Sequence, residues 1–205
     1  MSVSDRINSA TRRIPAWPLY VLAILPPAWL LYSGLTGGLG VDPVKAMEHQ
    51  MGIWGLQILI AGLFFSPLRV YARINLIRYR RAVGLIGFFY IFLHLLVWLV
   101  LDVQILSQIW ADILKRPYIT VGMIGFVLMI PLALTSNNWS VRKLGPAKWR
   151  RLHKLTYAVS IAGGLHYVML VKGWQLEPLI YFGVICLSLA TRLRSTLTFW
   201  RTSGA

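Results

Sequence analysis

The stretch WRRLHKLTYAVSIAGGLHYVMLVKGW, residues 149–174, sets two histidines, His153 and His166, in an apolar run that opens on a basic cluster. A run of about twenty mostly apolar residues is what a helix needs to cross hydrocarbon. An imidazole buried there without a partner is costly, so each histidine calls for a neighbour or a ligand. The setting of this segment decides the fold, because apolar runs with basic clusters between them recur along the chain.

The 205 residues are 57% hydrophobic and 13% charged, with a mean hydropathy of +0.64. That is too apolar for a soluble domain. Apolar runs recur along the chain and predict an all-α integral membrane protein with six spanning helices. They cover residues 17–35, 49–67, 82–101, 118–136, 152–171 and 178–191. A short tail, 1–16, precedes this single spanning domain, 17–191, and another, 192–205, follows it. Pro26, Pro27 and Pro131 are expected to kink the first and fourth spans. Pro26 and Pro27 also interrupt the first run, and no small-residue cleavage site closes it, which argues against a signal peptide. Tryptophans such as Trp17, Trp110 and Trp174, near the predicted span ends, read as interfacial anchors.

The net charge of +15 is not a nucleic-acid footprint, because the basic residues sit in short clusters between apolar runs. With the N-terminus inside, seventeen of the 21 basic residues fall on the inner segments, including Arg80, Arg81, Arg150, Arg151, Arg194 and Arg201. Only Lys45, Lys115, Arg116 and Lys172 fall outside, and five of the six acids join them. This bias places both termini in the cytoplasm. The single Cys186 leaves no disulfide or zinc framework and reads as a packed apolar residue.

Four histidines remain: His49, His94, His153 and His166. The third span enters at Arg80 and Arg81, so His94 lies about 12 residues in, roughly 18 Å deep. The fifth enters near Leu152, which puts His166 about 14 residues in, roughly 21 Å deep. Two histidines at one depth on parallel helices suit axial ligation of a haem iron across the bundle. An interhelical hydrogen bond is the plainer reading of the same pair. No cysteine or carboxylate lies at that depth to complete a zinc or copper site. On an ideal helix His153 sits about 140° from the face of His166, at the cytoplasmic boundary. It reads as serving a second haem, a flavin or the place where electrons arrive, or as a solvated interfacial residue. His49 and Arg116, at the outer ends of spans, are candidates for haem propionates or a partner, or for simple capping and anchoring.

Five segments, GGLGVDPVKAMEHQMG, SPLR, RRAVGLIGFFYIFLH, KRPYITVG and WRRLHKLTYAVSIAGGLHYV, together resemble the MsrQ family, formerly YedZ. These are haem-binding membrane subunits of bacterial protein-methionine-sulfoxide reductase systems. The resemblance implies a six-helix bundle of the ferric-reductase and NADPH-oxidase type, in the bacterial inner membrane. It implies an electron-transfer subunit holding haem b, with FMN also associated with the family. Electrons would pass from a cytosolic flavin reductase or quinol to a periplasmic molybdopterin enzyme that reduces protein methionine sulfoxide. His94 and His166 match the ligand positions, and His153 matches a third family histidine. Where larger oxidases carry two histidines on the third span this chain has one, which counts against a second haem. The rival readings are a quinol-oxidising cytochrome b serving another periplasmic enzyme, and a cofactor-free transporter or assembly factor.

Overall fold

The computed structural model describes residues 2–203, with side chains described through residue 192. Every regular element among the described residues is helical. In chain order they are α1 (Val3–Arg13), α2 (Trp17–Leu22), α3 (Leu25–Leu35), α4 (Pro43–Tyr71), α5 (Arg80–Val97) and α6 (Leu106–Lys115). Then come α7 (Pro117–Leu134), α8 (Asn138–Leu144), α9 (Pro146–Leu152), α10 (Leu155–Leu170) and α11 (Leu176–Ser203). Among the described residues four segments are long and apolar enough to cross a membrane: Trp17–Leu35, Pro43–Tyr71, Ile77–Val103 and Pro117–Leu134. Helix α10 has 16 residues and α11 has 28.

Several expected boundaries move, each for a local reason. The first span is two helices, not one kinked helix, since α2 ends before Ala23 and Pro26 and Pro27 stand in the first turn of α3. Proline costs little there, because the first turn has no intrahelical acceptor for its missing N–H. Helix α4 begins six residues before the predicted start and continues through Pro67 to Tyr71. The interior proline frees the carbonyl four residues earlier, that of Leu63. Arg192 of α11 donates to that carbonyl and to the Tyr157 hydroxyl, which removes the penalty of an orphan acceptor. Helix α5 passes into a π-helical segment, Trp98–Val103, which Gln104 closes in a left-handed conformation at φ 59°.

Helix α4 packs along α5, and α7 along α10, while α11 closes the bundle against α4 and α10. Three apolar clusters hold these contacts, centred on Met51 and Tyr90, on Leu63 and Ile185, and on Leu59, Met129 and Val159. Small residues let the backbones approach. A Cβ on Gly55 would lie 2.5 Å from Ile91, and one on Gly164 would lie 2.8 Å from Phe182. The outward faces stay apolar, as lipid-facing surfaces do, with Leu187 of α11 66% exposed. Cys186 is on that outer face, so it is exposed and not packed as expected.

The N-terminal tail expected over residues 1–16 is mostly the helix α1, started by a reciprocal Ser2–Asp5 capping box. It docks on the segment after α4. Asn8 donates to the Arg73 carbonyl, and Arg78 donates to the carbonyls of Thr11 and Arg12. Arg81 in turn donates to Asn138. The segments expected on the inner side, from the N-terminus, residues 72–81 and residues 137–138, thus touch one another at one end of the bundle. Arg194 and Arg201, also assigned to that side, lie outside the described side chains.

Candidate functional site

Between the α4–α5 and α7–α10 pairs lies a cavity of about 390 Å³. His94 projects into it from α5 and His166 from α10. Their rings stand 6.2 Å apart between centroids, with planes at 77°. The two histidines matched by depth in the sequence are therefore neighbours in space.

Each ring is held from behind. His94 Nδ1 lies 2.8 Å from the Glu48 carbonyl, and His166 Nδ1 lies 2.7 Å from the Tyr118 carbonyl. A carbonyl can only accept, so Nδ1 carries the proton in both rings and Nε2 keeps its lone pair. Gly52 backs the first ring and Gly122 the second. The walls around the pair are apolar, with Leu59, Ile91, Phe126 and Val159 among the lining residues. One end carries polar side chains: Lys45, Glu48, His49, Asp102, Arg116 and Tyr118.

His49 is exposed at that end, edge-on to Tyr167 at 5.9 Å. Arg116 also borders the cavity and pairs with Asp112 at 3.2 Å. His153 is elsewhere, outside the cavity lining. It stacks on Trp149 at 3.8 Å between centroids, and its Nε2 lies 3.0 Å from the Thr135 hydroxyl. That hydroxyl donates its own proton to the Pro131 carbonyl, so the histidine donates to it. The expected single helix through both histidines is broken, because α9 ends at Leu152 and α10 starts at Leu155. A change of helix, as well as phase, separates His153 from His166.

Glu48, Asp102, Gly52, Gly122 and Tyr118 join the site with little sign in the sequence. The apolar run beginning at residue 49 leaves Glu48 in an outer segment, yet the early start of α4 makes it part of the helix. Asp102 reaches the cavity through the π-helical segment, whose widened turn no hydrophobic period reveals. The one signal in the sequence is spacing: Gly52 follows Glu48 and Gly122 follows Tyr118 by four residues, which marks one helix face.

Residues 50–164 match the family described as ferric reductase like transmembrane component. A protein from Agrobacterium fabrum named protein-methionine-sulfoxide reductase heme-binding subunit MsrQ is 52% identical over 178 residues, spanning 86% of this chain and 82% of its own. Proteins of the same name from Brucella anthropi and Brucella ovis are 47% and 48% identical, each spanning 86% of this chain and 80% of their own. The chain belongs to the ferric-reductase-like transmembrane family and, within it, to MsrQ. No solved structure matches it.

The histidine pair fits the haem that those names carry. An imidazole nitrogen binds a metal at roughly 2 Å with its ring centre about 1 Å behind, so two axial imidazoles set their centroids about 6 Å apart. The observed 6.2 Å agrees. Among the described residues no group of three or more His, Cys, Asp or Glu side chains gathers, whereas a zinc-type site takes three or four protein ligands.

Proposed function

We propose that this chain is a haem b electron conduit of a bacterial inner membrane, with His94 and His166 as the two axial ligands. The observation that carries the reading is the pair itself: two rings 6.2 Å apart across a cavity, each with Nδ1 engaged by a backbone carbonyl and Nε2 left to ligate. Haem supplies one-electron transfer when bound. The protein's part is to orient both imidazoles, to exclude water with apolar walls, and to offer Lys45, His49 and Arg116 to carboxylates at the polar mouth.

Six spans complete the reading: α2 with α3, α4, α5, α7, α10 and α11, forming the domain 17–191 with both termini cytoplasmic. The charge bias supports this, as do the contacts that gather α1, residues 72–81 and Asn138 at one end. Electrons arrive at that basic end from a cytosolic flavin reductase or from quinol, and the same end suits the phosphate of FMN. They leave at the polar mouth for a periplasmic molybdopterin enzyme that reduces protein methionine sulfoxide. The relatives' printed name, a heme-binding subunit of that reductase, supports the assignment.

The test is the absorption spectrum of the purified protein after expression with adequate haem. A Soret band with low-spin features is expected, and His94→Ala or His166→Ala should abolish the low-spin form. A wild-type protein without a Soret band would sink the reading.

A further inference from the structure

The two helix pairs that carry the histidines repeat one arrangement. On α4 the Glu48 carbonyl accepts from His94, and Gly52, four residues on, lies against the Nδ1 and Cε1 atoms of the ring. On α7 the Tyr118 carbonyl accepts from His166, and Gly122, again four residues on, lies against that ring. In a helix every Cα–Cβ bond tilts toward the N-terminus, so a side chain at i+4 leans over the carbonyl at i. That carbonyl already accepts its helical bond from the amide at i+4 and has one lone pair left. A second donor can reach it from a neighbouring helix only where the i+4 residue leaves room. A Cβ on Gly52 would sit 3.1 Å from His94 Nδ1, and one on Gly122 only 2.8 Å from His166 Nδ1.

Other glycines show that this is not general helix packing. Gly55 and Gly164 meet aliphatic and aromatic side chains, and Gly84 meets nothing within 4 Å. Among the described glycines, Gly52 and Gly122 alone have a histidine ring as the nearest neighbour. The register also recurs on two helices with no sequence repeat to impose it.

We propose that Gly52 and Gly122 are positioning residues: each keeps one carbonyl open to a ring Nδ1–H, and so aims the Nε2 lone pair of His94 or His166 into the cavity. The proposal rests on the haem reading for its consequence, but the ring state can be measured without haem. A Cβ at either position drives the ring off its carbonyl. The ring then rotates or changes tautomer, and its metal-binding nitrogen moves.

The experiment uses the full chain in lipid, labelled with ¹⁵N at histidine. In haem-free protein, solid-state NMR should show His94 and His166 as Nδ1–H tautomers. Gly122→Ala should change the His166 signals alone, and Gly52→Ala those of His94 alone. Gly55→Ala controls for packing and should leave both tautomers in place. In haem-loaded protein the two alanine variants at 52 and 122 should shift the low-spin EPR g-values or lose at least tenfold in haem affinity, with Gly122→Ala the more severe. If Gly122→Ala does not fold, Gly52→Ala carries the same comparison. An Nε2–H tautomer in the wild type overturns the proposal, as do variants at 52 and 122 that match Gly55→Ala in both readouts. A wild type that shows the tautomers and their glycine dependence but binds no haem defeats the haem reading and leaves the positioning role standing.

Discussion

A histidine in an apolar helix acquires meaning from what its two nitrogens touch. His94 and His166 spend Nδ1 on a carbonyl and turn Nε2 to a cavity, whereas His153 spends Nε2 on Thr135 and lies flat against Trp149. Depth alone paired the first two in the sequence, since each lies a similar number of residues inside a basic boundary. Nothing in the sequence said that His153 would cap the end of α9 and fasten it to α7. His153→Ala should therefore keep most low-spin haem in the absorption spectrum. It should cost about 1 kcal/mol of stability through the lost hydrogen bond, read as a lower midpoint in a denaturation series.

At the scale of elements, a helix boundary reflects which backbone groups find partners. Pro67 leaves the carbonyl of Leu63 without its helical amide, and Arg192 reaches that carbonyl from α11 across 129 positions of sequence. Arg192→Gln should weaken the α4–α11 contact by roughly 1.5–3 kcal/mol, the range for a hydrogen bond from a charged donor. Adding Pro67→Ala restores the helical amide bond to Leu63 and should recover part of that loss. Thermal unfolding of the two variants checks the pair. Helix α1 depends on a different device. The Ser2 hydroxyl and amide both donate to the Asp5 carboxylate and hold its pKa below the ordinary value of 3.8. A depressed carboxyl stabilises its folded form above the unfolded pKa, and that contribution is lost as the pH falls through the folded value. The amide protection of the first turn of α1, taken relative to intrinsic exchange at each pH, should thus fall once the pH drops below the ordinary carboxylate range. Asp5→Asn should remove that pH dependence.

For the whole molecule, the cavity lies where four helices meet as two pairs, with Gly52 and Gly122 against the rings and Gly55 and Gly164 at close helix contacts. The proposed topology has a direct readout. Alkaline phosphatase fused near Lys45, Lys115 or Lys172 should be active, and fluorescent protein fused at either terminus should glow in the cytoplasm. Activity at the termini would reverse the assigned orientation. Much of this was legible in one dimension. Composition and runs of twenty apolar residues demand helices in lipid, because a spanning backbone must satisfy its own hydrogen bonds. Charge between the runs predicts a direction, and the position of a histidine along a run predicts its depth. These features are local, or simple sums along the chain. The tertiary structure alone decided which carbonyl each histidine would meet, that Glu48 and Asp102 would stand at the mouth of the cavity, and that Arg192 would rescue the helix at Pro67. Those outcomes depend on the rotation and approach of packed helices, and a residue's place in its own helix does not contain the face of its neighbour.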